Sequence, residues 1–427
     1  MKRIIAVAVL LSAMTASWSQ QTVTLWQCYD SAAAVTPLSG ERELYRQMTM
    51  LRDQNIASSW LPSLDLGASF TYQSDVVDMT ESLSGIPLPP GSLPSIPHEQ
   101  YRGTFDISQV IWDGGVTRNA RAVEQVVSEL NMQQNEADIY RLREQVNNYF
   151  FPLLLTESQL EVTDLLISDL EARIREASSG IDNGVVPAVT LDVLRAEMIR
   201  AEQTASELRQ RRDALVSALE QITGMSGLKG FDLLLPEPVI TGDETPDNPE
   251  LRLFDVRKRQ LEVSKSLLKS QRMPKAFGFA QAGYGNPPGN DFFSENPDFY
   301  YSLGAGIKWN IFDWNKNSNE RKSLALQQQL LDLKKSAAEE SLQRMLTVRM
   351  AEITALQDAA SRDDQLIEIR KKITGVAASQ LANGTITASQ YLTELNSEKQ
   401  AIIGAAARKI SIARAEVEYI YITGYNE

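Results

Sequence analysis

Residues 183–194 read NGVVPAVTLDVL, and residues 383–395 read NGTITASQYLTEL. Each stretch opens on Asn-Gly, follows a long run of leucine and polar residues, and leads into a second such run. Asn and Gly both tolerate the left-handed backbone conformation, so the pair ends a helix at little cost. Pro187 stiffens the first loop and Thr190 is placed to cap the returning helix; Thr387 and Gln390 have the spacing of a capping box. Both stretches therefore read as tips of antiparallel helical hairpins, with Asn183, Gly184, Asn383 and Gly384 at the turns.

The flanking runs have the period such hairpins need. From Ile139, the positions Leu142, Val146, Tyr149, Leu153, Thr156, Leu160, Thr163, Ile167, Leu170, Ile174, Ala177 and Ile181 step by alternating three and four, a coiled-coil seam sustained for six heptads. Past the turn, Leu191, Leu194, Met198, Ala201, Ala205, Leu208, Leu215, Leu219 and Ile222 continue it, interrupted only by Arg212. A helix from about Gly115 to Asp182 would be on the order of 100 Å long. Pro152, inside it, is expected to kink it.

The similarity extends beyond the tips. Thr223-Gly224 recurs as Thr423-Gly424 and Ile111-Trp112-Asp113 as Ile311-Phe312-Asp313, both 200 positions on; Pro37 answers Pro249 and Pro62 answers Pro274, both 212 on. Two internal repeats follow, at 21–224 and 249–427, joined by a linker at 225–248. The first holds strands at about 62–73 and 101–112 and a hairpin at 114–222 with its tip at 183–190. The second holds strands at about 274–285 and 299–312 and a hairpin at 314–422 with its tip at 383–390. Asp113 and Asp313 stand as N-caps where strand becomes helix.

The strand segments alternate. Tyr101, Phe105 and Ile107 interleave with Arg102, Thr104 and Asp106; Tyr301, Leu303 and Ile307 interleave with Ser302, Gly304 and Lys308. The facing of 275–284, rich in Gly and Ala, is not decided by its pattern. Trp60, Tyr72, Tyr101, Trp112, Tyr300, Tyr301, Trp309 and Trp314 cluster near strand ends, as the aromatic girdles of membrane barrels do, and the loops at 73–100 and 286–298 are rich in Pro and Gly. Four strands cannot close a barrel, which takes about eight or more, so closure requires several chains. The competing reading is a soluble periplasmic coiled-coil scaffold carrying a small sheet.

Composition narrows the function. The net charge of −13 over 427 residues, with no isolated basic run, argues against nucleic acid. Residues 1–20 read as a secretory signal peptide: Lys2 and Arg3, an apolar run from Ile4 to Met14, then Ser17-Trp18-Ser19. Cys28, the only cysteine, lacks the setting of a lipoprotein cysteine and is read as packing in an N-terminal helix. His98, the only histidine, is read as a solvated loop residue. No catalytic set, phosphate cradle or metal-ligand cluster stands out, so no enzyme activity and no cofactor is expected.

With its signal peptide, duplicated strand–strand–hairpin order, strand end running into Ile-Trp-Asp-Gly-Gly, and Gly-x-x-x-x-x-Thr-x-Asp-Val-Leu tip, the chain resembles the TolC-like outer-membrane efflux proteins over roughly residues 22–424. The resemblance implies a mixed α/β membrane protein. Three copies, with four strands each, would form a twelve-strand β-barrel in the outer membrane of a Gram-negative bacterium, continuing into a periplasmic α-helical coiled-coil barrel. It implies a passive exit channel of a tripartite efflux or type I secretion system, in contact with outer-membrane lipid. Its partners would be a periplasmic adaptor docking at the tips and an inner-membrane transporter of the RND, ABC or a similar class. Asp192 matches the family's aperture aspartate by position. Glu394 is the second candidate, because the corresponding step of the second copy falls near Leu392–Glu394; there the chain departs from the family pattern, with no aspartate and no nearby arginine at the second tip.

Overall fold

The computed structural model describes residues 22–76, 96–182, 184–238, 240, 248–291, 294 and 296–424. The leader, most of the first long loop and Asn183 lie outside them. In chain order the elements are β1 (Thr22–Val23), α1 (Leu25–Val35), α2 (Glu41–Ser58), β2 (Ser63–Tyr72), β3 (Glu99–Trp112), α3 (Val116–Asp182) and α4 (Val189–Thr223), followed by β4 (Asp232–Leu233), α5 (Pro249–Gln271), β5 (Lys275–Asn286), β6 (Asp298–Lys308), α6 (Lys316–Ala360), α7 (Asp363–Ala382) and α8 (Ala388–Thr423). Among the described residues, no helix is long and apolar enough to cross a membrane. Two compact units result: a sheet unit of Glu41–Gln134 and Glu250–Ala337, and a helical unit from the remaining segments.

In the sheet unit the strands lie in the order β2-β3-β5-β6, each pair antiparallel. The register pairs Leu66 with Phe105, Phe105 with Ala282, and Ala282 with Tyr301, so one face is built from Leu64, Leu66 and Phe70, Phe105 and Ile107, Ala280 and Ala282, and Tyr301, Leu303 and Ile307. This face is bare: Leu66 is 87% exposed, Tyr301 81% and Ile307 77%. The other face carries Asp65, Thr104, Asp106, Gln281, Ser302 and Lys308. There Thr104 Oγ1 and Gln281 Nε2 both donate to the Asp106 carboxylate, at 2.8 and 2.5 Å. β2 and β6 each have one edge without a strand partner among the described residues.

The undecided strand resolves through its glycines. Phe277 and Phe279 lie on the polar face opposite Gly306 and Gly304, and each ring roofs its glycine; a Cβ at either would come within 2.7 Å of the ring. Tyr300 covers Gly283 in the same way. A side chain at these glycines would lift the ring off the sheet, so the Gly/Ala composition of β5 and β6 is what lets aromatics lie flat on the polar face.

β6 ends at Lys308 rather than near 312, because its partner β5 begins at Lys275, which pairs with Lys308. Beyond it, the Trp309 indole N–H donates to Arg272 O at 3.0 Å and Arg272 donates to Ile311 O at 3.2 Å, so the chain is held by the turn before β5. At both strand-to-helix junctions an aspartate receives helix N–H groups. Asp113 accepts from Gly115 N at 2.8 Å and Thr117 N at 2.6 Å; Asp313 accepts from Asn317 N at 3.1 Å. The two residues after each aspartate are left-handed: Gly114 and Gly115 at φ 72° and 87°, Trp314 and Asn315 at 52° and 64°.

The helical unit holds two cores. One gathers Val146, Phe150, Phe151 and Leu153 of α3 against Leu25, Cys28 and Tyr29 of α1, Leu219 of α4 and Val417 of α8. Tyr29 donates its hydroxyl to Asn147 Oδ1 at 2.5 Å. Burial pushes the Cys28 thiol up to about 12, which keeps it protonated and unreactive. β4, within the segment read as a linker, pairs in parallel with β1 and ties the start of the described chain to this core. The other core, Leu170, Ala177, Leu194, Ala201, Ala377, Ala378, Leu381, Tyr391 and Leu395, is rich in alanine. The heptad seam of α3 is the side that buries: Val146, Leu153, Thr156, Leu160, Thr163, Leu170 and Ala177 all lie inside.

α3 runs as a single helix through Pro152. The second hairpin is not continuous: it is interrupted at Ser361-Arg362, where α6 gives way to α7. Asp363, buried at the start of α7, is held by both Nε and Nη2 of Arg408 on α8, each at 2.7 Å, a bidentate pair that anchors the restart.

Gly114 cannot carry a side chain: a Cβ would lie 2.4 Å from Met273 Cβ, and its φ is left-handed. Gly114→Ala is expected to cost more than about 2 kcal/mol, whereas Trp314→Gly, which relieves a non-glycine left-handed residue, should change stability by less than about 1 kcal/mol. Loss of far-UV circular dichroism on heating the detergent-extracted protein ranks the two. Equal midpoints would remove the junction constraint.

Candidate functional site

The hairpin tips, at one end of the helical unit, are built by backbone. In the first, Gly184 at φ 74° donates its N–H to Ile181 O at 2.9 Å, and Val185 N and Val186 N both reach Gly180 O, at 2.9 and 3.3 Å. In the second, Gly384 at φ 65° donates to Leu381 O at 3.0 Å and Thr385 N to Gln380 O at 2.9 Å. Asn383 is not left-handed, with φ −89°; its side chain caps the helix end by donating to Ser379 O at 2.9 Å. Asn183 lies outside the described residues.

The returning helices begin differently. Thr387 and Gln390 form the capping box, each side chain receiving the other's backbone N–H. Thr190 does not cap α4. Proline occupies position 187, which matches Thr387, and α4 starts after Ala188 without a side-chain cap, leaving Thr190 buried inside its first turn. The two tips also meet: a Cβ on Gly384 would lie 2.9 Å from the carbonyl oxygen of Val185, while Gly184 faces open space.

The two candidate carboxylates occupy unlike settings. Asp192 is exposed in the first turn of α4 and has no ion-pair or hydrogen-bond partner among the described residues. Glu394, on α8, lies 3.4 Å from Arg370 Nη1 of α7, and its carbonyl accepts from Thr374 Oγ1 at 3.3 Å. No hydrogen bond or ion pair joins Asp192 to Glu394 among the described residues. The arginine missing near the second tip in sequence is thus supplied across the hairpin. Arg370 and Glu394 each stand 12 residues from Ala382, so counting outward from the tip finds the pair.

Further polar residues surround the alanine-rich core that carries the tips. Arg173 stands 6.0 Å over the Tyr391 ring and pairs with Glu176 at 2.5 Å. Burial, ahead of the opposing pull of Arg173, holds the Tyr391 hydroxyl above the usual phenol range. Lys399, nearly buried, reaches Asp169 Oδ2 at 2.7 Å, and Asn396 donates to Glu197 at 3.1 Å. These contacts link α8 to α3 and α4, and sequence reasoning missed them because their partners are about 200 or more residues apart. Among the described residues no group of three His, Cys, Asp or Glu could hold a metal ion. His98 Nδ1 sits 2.8 Å from Gln73 O, and its ring stacks beside Tyr72.

The tip geometry separates the two glycines. Gly384→Val combines a left-handed φ with collision against the other tip, while Gly184→Val meets only the backbone strain. Hydrogen exchange at the Val185 and Val186 amides should therefore speed up more in Gly384→Val than a rearrangement confined to its own turn allows. Exchange there equal to wild type would mean the tips do not support each other.

Residues 54–225 match the family model described as outer membrane efflux protein. A search of curated proteins gave no match. Among solved structures, the fold is similar to CusC (TM-score 0.69, 11% identity, 94% of this chain and 92% of that one), to the Campylobacter jejuni CmeC outer membrane channel (0.67, 13%, 94% and 85%), and to the open state of the Neisseria gonorrhoeae MtrE outer membrane channel (0.65, 14%, 94% and 88%). At these identities the likeness is one of fold. The chain is thus similar in sequence to the outer membrane efflux protein family over residues 54–225, and in fold to these three structures over nearly all of its length.

Proposed function

We propose that this chain is the outer-membrane exit channel of a tripartite efflux or type I secretion system. It would conduct substrates passively from a periplasmic adaptor and an inner-membrane transporter to the outside. The observation that carries the reading is the sheet's bare apolar face, lying between two strand edges that have no strand partner among the described residues. A soluble scaffold would leave Leu66, Phe70, Phe299, Tyr301, Leu303 and Ile307 in water, a patch that soluble monomers avoid. In lipid the same face is satisfied, and the open edges are then what must be removed, since unpaired N–H and C=O groups in hydrocarbon cost several kcal/mol each. Three copies, edge to edge, give twelve strands and a closed barrel with Asp106, Gln281 and Lys308 lining its interior. The helical units would form the periplasmic conduit, with the tips as the adaptor-facing end.

The tips then set selectivity. Asp192 is exposed and has no partner among the described residues, whereas Arg370 offsets Glu394, so Asp192 contributes the larger negative field at distances within a Debye length of about 8 Å.

Detergent-extracted protein should size as a trimer by light scattering; a stable monomer with its sheet intact would end the barrel reading. Ile307→Lys, on the bare face, should lower barrel stability by about 2–4 kcal/mol near mid-membrane, and Ser302→Lys, on the polar face, by far less. Gly306 is no substitute for Ser302 in that comparison, because Phe277 covers it. In planar bilayers Asp192→Asn should reduce cation selectivity more than Glu394→Gln. The reverse order would place the selective charge elsewhere.

A further inference from the structure

At the junction of β3 and α3 the sheet unit holds a cleft of about 530 Å³, lined by Trp60, Trp112, Arg118, Arg121, Ala122 and Gln125 among others. We infer that this cleft binds the phosphate headgroup of a glycerophospholipid, its acyl chains lying against the bare face of the sheet. The inference rests on the membrane reading above and adds to it a specific lipid site.

The first observation is a bulge. Along β3 the odd positions Phe105 and Ile107 share the apolar face, which would put Trp112 on the polar one. The register shifts between Val110 and Trp112, so Trp112 pairs with Ala276, and Ala276 pairs with Ile307 of the apolar face. The extra residue thus returns the last side chain of β3 to the apolar side, at the mouth of the cleft. Trp60 stands beside it, its carbonyl fixed by Gln109 Nε2 at 2.6 Å. Both indoles are partly exposed, Trp60 at 39% and Trp112 at 44%, amphipathic bodies of the kind that sit at headgroup level.

The second observation is a guanidinium without a carboxylate partner. Arg118 is exposed and has no ion-pair or hydrogen-bond partner among the described residues. Arg121 lies 3.1 Å from Asp53, but its buried Nε makes no hydrogen bond, so that contact lacks the alignment of a satisfied pair. Asp53 and Arg121 offset each other, Glu124 is paired with Arg52 at 3.0 Å, and Asp113, which also lines the cleft, is turned to Gly115 N and Thr117 N, so Arg118 is the cation available to an anion. Because Asp113 takes the first helix N–H groups, the attraction for an anion comes from the Arg118 guanidinium rather than from the helix end. A planar guanidinium suits a phosphate diester, which offers two oxygens side by side. Continuity with the apolar face selects a lipid over a free phosphate.

The test uses the full-length protein in mild detergent, titrated with dioleoylphosphatidylglycerol and read by native mass spectrometry as lipid retained per chain. Arg118→Gln should weaken retention about tenfold, the loss of a charge-assisted contact. Trp112→Leu should also weaken it while keeping the sheet's circular dichroism. Lys316→Gln, an equal loss of charge at the other strand-to-helix junction, should retain lipid as wild type does. Millimolar sn-glycerol 3-phosphate should not displace the lipid. Wild-type retention in Arg118→Gln, an equal loss in Lys316→Gln, or displacement by glycerol phosphate would each overturn the site. Outer-membrane fractionation separates the two readings. Wild type absent from that fraction ends the membrane reading and this site with it. Wild type present there, with retention indifferent to Arg118, ends the site alone.

Discussion

A four-stranded sheet that leaves one face apolar and, among the described residues, both outer edges without a strand partner is poorly suited to standing alone in water. Everything in the sheet unit is consistent with that incompleteness. The alternation that places Leu66, Phe105, Leu303 and Ile307 together costs stability in water, a cost that the proposed barrel would remove by setting lipid on that face and strands at both edges. The polar face is finished by the chain itself: Phe277, Phe279 and Tyr300 lie flat over glycines, and Asp106 is held by Thr104 and Gln281. One side is therefore prepared for a partner phase and the other for its own solvent-filled space.

The helical unit meets a different constraint, which is to pack long helices with little apolar surface per residue. Its large core uses aromatics, with Phe150 and Phe151 edge to face and α1 laid against them. Its tip-bearing core uses alanine, which lets helices approach closely but offers few groups that distinguish one register from the next. Register there falls to polar contacts between helices: Asp363 with Arg408, Asp169 with Lys399, Glu394 with Arg370. The Glu394–Arg370 pair is exposed enough to contribute only modestly to stability, while buried Asp363 and Lys399 each depend on the partner that offsets their charge. Their value lies in specifying which residues face each other, and a core built from small side chains needs that most.

Strand alternation, the heptad seam of α3, the capping aspartates and the Thr387–Gln390 box were legible in sequence because each is a short-range pattern with one physical solution. What was not legible depends on partners distant in the chain. The facing of β5 is set by glycines in β6; the end of β6 is set by where β5 begins; the Trp112 bulge becomes visible only once Ala276 is opposite it. Thr190 was misassigned as a cap because its type suits the role, while the position matching Thr387 holds Pro187. The helix interruption at Ser361-Arg362 has no proline or glycine to announce it, and its anchor, Arg408, arrives from the returning helix. Among the candidate site residues, the glycine turns could be read locally, whereas the partner that separates Glu394 from Asp192 could not.

The two strand-to-helix junctions show how one backbone path serves two ends. Both use an aspartate followed by two left-handed residues, yet one pair is Gly-Gly and the other Trp-Asn. The conformation is therefore demanded by the junction and not by the residues that fill it. Where Met273 crowds the path, only glycine fits, and Trp112 and Trp60 are left to line a cleft. Where the path is open, the chain accepts a strained Trp314, 84% exposed, and packs it edge to face on Phe312. A left-handed tryptophan is an expensive way to make a turn that glycine makes freely, so its retention argues that the indole is needed where the strand meets the helix. At the first junction a bulge presents Trp112 instead, so both devices place an aromatic close to where the sheet gives way to a helix.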